Sequence, residues 1–166
     1  MDETTPAALA ITRATADDVA RLAAFLFATE LGTTYFPTLA TCASALENGI
    51  AHDEVFALYA PDGEAAALLW FQQEGAFYRY PYLHIIVVGN AWQGQGLGRK
   101  LLDFYEERIC CDRLRTKSFL VVDEANERAR AVYARRGYEQ VGRLPGLFRR
   151  GVNELLLVKD VVRPRR

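Results

Sequence analysis

The chain has 166 residues, 51% hydrophobic and 25% charged, which suits one globular domain and excludes disordered, collagen-like and coiled-coil classes. No run of 18 apolar residues occurs, so no spanning helix is expected, and Cys42, Cys110 and Cys111 are too few and too oddly spaced for a disulfide framework. Charge is segregated: 11 acidic residues face only Arg13 and Arg21 in residues 1–75, whereas 76–166 hold 18 basic and 10 acidic residues.

In chain order, residues 1–8 are read as a loose start. Their acidic, polar opening is wrong for a secretory or transit signal, which gives a cytoplasmic expectation. Residues 9–13 read as a short strand. Asp17 is expected to cap a helix running to about Leu31, with Val19, Leu22, Ala23 and Leu26 on one face. A second helix is expected from Thr38 to Asn48, closed by Gly49. Val55–Ala60 and Ala65–Phe71 are strands joined by Pro61-Asp62-Gly63-Glu64, a hairpin turn. Tyr82–Val88 is apolar enough for a central strand, and Gly96 to about Ile109 is helical, with Leu97, Leu101, Leu102 and Tyr105 at helical spacing. Ser118–Val122 is a strand, Asn126–Arg136 a helix ended by Gly137, and Tyr138–Gly142 and Asn153–Lys159 are closing strands. Residues 162–166 are read as a loose basic tail. This order predicts a mixed α/β sheet in one domain, 1–166.

The chemistry-bearing stretch runs from the 82–88 strand into Gln93-Gly94-Gln95-Gly96-Leu97-Gly98-Arg99 and then a helix. Glycines let backbone N–H groups turn toward an anion without a Cβ in the way, and a helix N-terminus adds unpaired N–H groups and a positive dipole end. Lys100 is followed by Leu101, so no P-loop hydroxyl is in place, and Gly94, Gly96 and Gly98 do not fit the dinucleotide fingerprint. The pattern that fits is Gln93-x-x-Gly96-x-Gly98. On its own it serves equally as a phosphate seat and as a glycine-rich turn.

A second constellation follows. In the stretch from Asn126 to Tyr138, Asn126 and Tyr133 lie seven residues apart, about two helical turns, and therefore on one side. Together the two stretches resemble the GNAT superfamily of N-acetyltransferases, in order and in separation. The resemblance is strong over 82–138 and weaker before 80. It extends to the opening strand and helix at Ile11–Asp18 and to the final strand at Gly151–Lys159.

The resemblance implies a mostly antiparallel central sheet with splayed strands, flanked by about four helices. It implies acetyl-CoA as co-substrate and direct transfer of acetyl to a primary amine in a ternary complex. The loop Gln93, Gly94, Gln95, Gly96, Leu97, Gly98 and Arg99 would hold the pyrophosphate. Backbone groups of Ile86, Val87 and Val88 would meet the pantetheine amides, and Asn126 the pantetheine arm. The Tyr133 hydroxyl would face the departing thiolate, where a phenol serves as general acid.

Alternation along the 82–88 strand places Tyr82, His84, Ile86 and Val88 on one face. Members of the family often carry a base glutamate where Tyr82 stands. Arylalkylamine acetyltransferases instead place histidines at the positions of Tyr82 and His84; this chain resembles them in half of that pair, and His84 is the candidate base. Ribosomal-protein N-terminal acetyltransferases place a glutamate five residues before the asparagine, where this chain has Val121, so that subgroup's mechanism is not carried over. Acceptor contacts in this fold fall on the N-terminal helices and on the loop before the 82–88 strand. Here those regions supply Glu30, Tyr35, Phe36, Glu47, Phe77, Tyr78 and Tyr80, with Tyr82 beside them. Acid and aromatics suit a cationic or aromatic amine.

With two histidines, two serines and no Gly-x-Ser-x-Gly, a hydrolase triad has little support, and no Cys/His spacing suits a metal. Neither a nucleic-acid nor a membrane partner is expected, and a homodimer is left open. A catalytically idle acyl-CoA-binding regulatory module is the alternative reading.

Overall fold

The computed structural model describes residues 9–163. They form β1 (Ile11–Arg13), a 3-10 turn (Ala16–Asp18), α1 (Val19–Phe27), α2 (Glu30–Tyr35), α3 (Leu39–His52), β2 (Glu54–Tyr59), β3 (Ala65–Ala76) and β4 (Tyr80–Val88). A second 3-10 turn (Asn90–Trp92) leads to α4 (Leu97–Ile109), β5 (Arg115–Asp123), α5 (Glu127–Arg135), β6 (Glu139–Pro145) and β7 (Asn153–Val162). The strands make one seven-stranded sheet in the order β1-β2-β3-β4-β5-β7-β6.

Pairing is antiparallel between β1 and β2, between β5 and β7 and between β6 and β7, and parallel between β4 and β5. The β4–β5 ladder holds only Tyr82↔Phe119 and Leu83↔Leu120 among the described residues, against nine consecutive partners between β5 and β7. So short a parallel ladder is what splayed strands leave behind. The chain divides into two compact units. One takes the described residues through Leu69 together with Ile86–Gly98; the other takes Trp70–Ile85 and the described residues from Arg99 onward.

In the first unit, α1 lays Leu22 and Leu26 against α3, where Cys42 and Leu46 are buried. Burying each such leucine contributes about 1.5–3 kcal/mol. Desolvation pushes the Cys42 thiol up to about 11, so this sulfur stays protonated and inert at neutral pH. In the second unit, Leu101, Leu102, Tyr105 and Ile109 of α4 are buried, as are Leu120 and Val122 of β5.

The N-terminal helices differ from expectation at three points. Asp17 is not the cap: the Asp18 carboxylate accepts the Thr15 N–H at 2.8 Å and its hydroxyl at 3.1 Å, closing a 3-10 turn before α1. The helix does not run to Leu31. It stops after Phe27 because Thr29 turns its hydroxyl to the Leu26 carbonyl at 2.6 Å and accepts the Gly32 N–H at 3.1 Å, which starts α2. Gly32 also fits where no side chain would, since a Cβ there would lie 1.9 Å from the Leu26 carbonyl oxygen.

Gly49 does not close α3 either. It is buried inside the helix, which continues to His52. The α-helices number five among the described residues, where the resemblance implies about four. At the far end, Val162 still belongs to β7, and the Arg163 N–H donates to the Leu114 carbonyl at 2.9 Å. The expected loose tail from 162 is ordered through 163; the rest of it, like the expected loose start at 1–8, lies outside the described residues.

Candidate active site

In the first unit, Ile86, Val87 and Val88 form the half-buried end of β4. The Gly89 N–H then donates to the Ala66 carbonyl at 2.9 Å, pinning the strand's exit. The 3-10 turn follows, braced by the Gln93 amide, which donates to the Asn90 side chain at 3.2 Å and to the Val88 carbonyl at 3.4 Å. The Gln95 amide donates back to the Ala91 carbonyl at 3.4 Å. Both glutamines thus hold the loop's base and leave its crest exposed.

Gly94 and Gly96 have φ of 77° and 79°, the left-handed region that L side chains rarely enter, and open space surrounds the place of each Cβ. Backbone conformation, not crowding, requires glycine here. Gly98 differs: its φ is ordinary, and a Cβ would stand 3.7 Å from Val88 Cγ2. The loop passes into α4 at Leu97, whose first-turn N–H groups have no intrahelical partner. A backbone bent this way at the start of a helix is a donor set for a phosphate oxygen. In the second unit, Arg99 is exposed in the first turn of α4.

In that unit too, Asn126 is the N-cap of α5, its side-chain oxygen accepting the Ala129 N–H at 3.0 Å. Its amide nitrogen, a donor, bonds no described residue. Tyr133 lies two turns on. Its half-buried ring meets Tyr138 edge to face with centroids 5.5 Å apart. Burial pushes the Tyr133 phenol well up, so it is protonated across the physiological range. Among the described residues its hydroxyl has no hydrogen-bond partner.

β4 carries the expected alternation. Pro81, Leu83 and Ile85 are buried, while Tyr80 and Tyr82 are half-buried and His84 is exposed on the other face. His84 packs its ring edge to face on Trp70 at 4.6 Å and near Tyr82 at 5.9 Å. Tyr80 and Phe77 both contact Phe119, at 5.8 and 5.3 Å. Phe119 and Trp70 escaped the sequence reading; a strand aromatic beside a register partner gives its signal only once the pairing is known. Burial, then the negative charge of Glu154, push the Tyr82 phenol up to about 12, so it is a hydrogen-bond donor and no base at neutral pH. Glu30 and Tyr35 are the first and last residues of α2, and Phe36 is its C-cap. No trio of His, Cys, Asp or Glu suited to a metal occurs among the described residues.

Against known proteins, the acetyltransferase (GNAT) family profile matches residues 23–138. The chain belongs to the GNAT family. It is an acyl-CoA N-acyltransferase by that membership, and the family's co-substrate is acetyl-CoA.

Solved structures agree on the fold. A ribosomal-protein alanine N-acetyltransferase from Escherichia coli is 18% identical with a TM-score of 0.73, covering 95% of this chain and 96% of that one. A GNAT-family acetyltransferase from Streptococcus pneumoniae is 22% identical, TM-score 0.68, with coverage of 92% and 99%. A spermidine/spermine N-acetyltransferase from Vibrio cholerae, solved in mutant forms, is 14% identical, TM-score 0.67, with coverage of 92% and 94%. No curated protein matches the chain. Among the described residues, no helix is long and apolar enough to cross a membrane.

Proposed function

We propose that this GNAT protein transfers the acetyl group of acetyl-CoA directly to the primary amine of a cationic or aromatic small molecule or peptide, in a ternary complex. The observation that carries the reading is the paired left-handed conformation of Gly94 and Gly96 at the mouth of α4. It supports a loop that gives its backbone to an anion, here the pyrophosphate, with Arg99 adding positive charge. Ile86, Val87 and Val88 offer main-chain groups to the pantetheine amides, and Asn126 offers its unengaged amide nitrogen.

His84 takes the proton from the incoming ammonium, and the freed nitrogen lone pair attacks the thioester carbonyl carbon. The carbon–sulfur bond breaks as the amide forms, the nitrogen gives up its second proton to solvent, and the sulfur leaves with the bonding pair. Tyr133 donates its phenolic proton to that sulfur. The desolvation that raises the phenol acts on the thiol as well, which keeps proton transfer between them feasible. Solvent then restores Tyr133 and removes the proton from His84.

Tyr80 and Tyr82 favour an acceptor that is flat or positively charged, because aromatic faces attract both. Glu30, Tyr35 and Phe36 fit the same chemistry, an acid with two aromatics.

The test is calorimetric titration with acetyl-CoA of the wild type and of Gly96→Glu, followed by an amine panel read through thiol release. Micromolar binding that the variant loses, with turnover of cationic or aromatic amines, is the expected result. Turnover of anionic or neutral aliphatic amines alone overturns the acceptor class. Binding without turnover of any amine makes the protein an acyl-CoA-binding regulatory module instead. No binding by the folded wild type reduces the loop to a structural turn.

A further inference from the structure

The helix that carries Tyr133 ends in a Schellman motif. The Tyr138 N–H donates to the Tyr133 carbonyl and the Gly137 N–H to the Ala134 carbonyl, both at 3.0 Å, around a Gly137 φ of 90°. That is the nested bond pair such a cap requires, and an apolar contact across the cap usually accompanies it. Here the contact is the edge-to-face pair of Tyr133 and Tyr138.

Tyr138 is in turn fastened to the interior. Its hydroxyl lies 2.7 Å from Ser118 Oγ, which lies 2.7 Å from the Tyr105 hydroxyl. All three residues are buried, Tyr105 and Ser118 completely. Three hydroxyls from α4, β5 and the end of α5 therefore satisfy one another where water does not reach. On the same cap, Arg136 bonds Asp103 at 2.9 Å and Glu106 at 3.1 Å, and Lys159 bonds Glu106 at 2.8 Å. A phenylalanine at 138 would supply the ring contact and the backbone bond. Only a tyrosine supplies the anchor.

We propose that Tyr138 is the positioning residue for Tyr133: anchored through its hydroxyl on Ser118 and Tyr105, it fixes the ring and the last turn of α5 that present the Tyr133 hydroxyl. This rests on the acid role given to Tyr133 above. A group held in place by a ring contact and a backbone bond to one neighbour is only as fixed as that neighbour, and a small displacement of an acid from its target costs turnover steeply.

The test compares Tyr133→Phe, Tyr138→Phe, Ser118→Ala and the double variant Tyr133→Phe/Tyr138→Phe in the full chain, by kcat, KM for acetyl-CoA and thermal unfolding. Tyr138→Phe and Ser118→Ala are each expected to lower kcat about tenfold while KM stays within about twofold. The double variant is expected to be no slower than Tyr133→Phe alone, because a positioning residue acts only through the group it positions. Unchanged kcat in both single variants at 138 and 118, or an equal loss from Tyr138→Phe in both backgrounds, overturns the inference and leaves the acid standing. A Tyr133→Phe enzyme with wild-type kcat removes the acid itself, and the positioning role falls with it.

Discussion

The Gln93–Arg99 loop and the end of α5 both turn on left-handed glycines, yet they use them for opposite ends. At Gly94 and Gly96 the backbone bends into open space at the start of a helix. At Gly137 it bends back on its own helix, where the N–H groups of Gly137 and Tyr138 are taken up by carbonyls of α5. One turn faces open space; the other uses its donors to close the helix that carries Tyr133. Glycine spacing marks where a chain must turn, but which partner the turned groups find decides between a binding loop and a brace.

If the loop binds and the brace serves chemistry, lesions in the two regions must separate by kinetic parameter. The largest effect belongs to Tyr133→Phe, expected to cut kcat by about a hundredfold, within the range for loss of a general acid, with KM for acetyl-CoA nearly unchanged. Steady-state kinetics over a range of acetyl-CoA concentrations checks this. A variant that keeps its kcat and binds poorly would erase the distinction between the regions.

His84→Ala comes next, with turnover at neutral pH lowered about tenfold. A histidine base works only when neutral, so wild-type kcat should fall as pH drops, and the variant's profile should lose that acid limb. Tyr82 does not take over the proton, because burial raises its phenol and keeps it protonated at neutral pH. A pH–rate profile that keeps its acid limb in the variant moves the base elsewhere.

Much of the order of elements was legible. The hairpin turn at Pro61–Glu64 shows as loop chemistry between apolar runs, with the Ala60 N–H donating to Glu64 at 2.8 Å and the Asp62 carboxylate accepting the Glu64 N–H at 3.0 Å. Gly137 as the terminator of α5 was legible for the same reason, since it acts within a few residues, whereas Asn126, read as the first residue of that helix, is its N-cap. The break between α1 and α2 was not. Apolar spacing continues through it, and the Thr29 hydroxyl that interrupts the helix looks in sequence like any helix-surface threonine.

The candidate site divides the same way. Glycine spacing and the Asn126–Tyr133 pair were readable because a resemblance attaches to short motifs. The hydroxyl chain was not, because Tyr105, Ser118 and Tyr138 come from separate elements and meet only after folding. A local signal did exist at Ser118, a hydroxyl on the inward side of β5 in phase with Leu120 and Val122. A polar side chain at an inward position needs a partner that sequence alone does not name.

The most diagnostic comparison is that of Gly96→Ala with Gly137→Ala, neither of which touches a reacting group. Both force an alanine into a left-handed conformation at a cost of about 1–2 kcal/mol. Neither meets a steric obstacle: nothing lies within 4 Å of the added Cβ at Gly96, and at Gly137 only Lys159 Cε, at 3.9 Å. The difference is whether the backbone can relax. The exposed crest around Gly96 has room to leave the strained conformation when acetyl-CoA is absent, so the cost should appear on binding, as a Kd raised about fivefold to thirtyfold with little change in melting temperature. Gly137 is locked by two backbone bonds and by the anchored Tyr138, so its cost should appear in stability, as a melting temperature about 2–6 °C lower with Kd unchanged. If the two variants exchange these signatures, the loop is the rigid element and the helix end the adaptable one, and the roles assigned to them reverse.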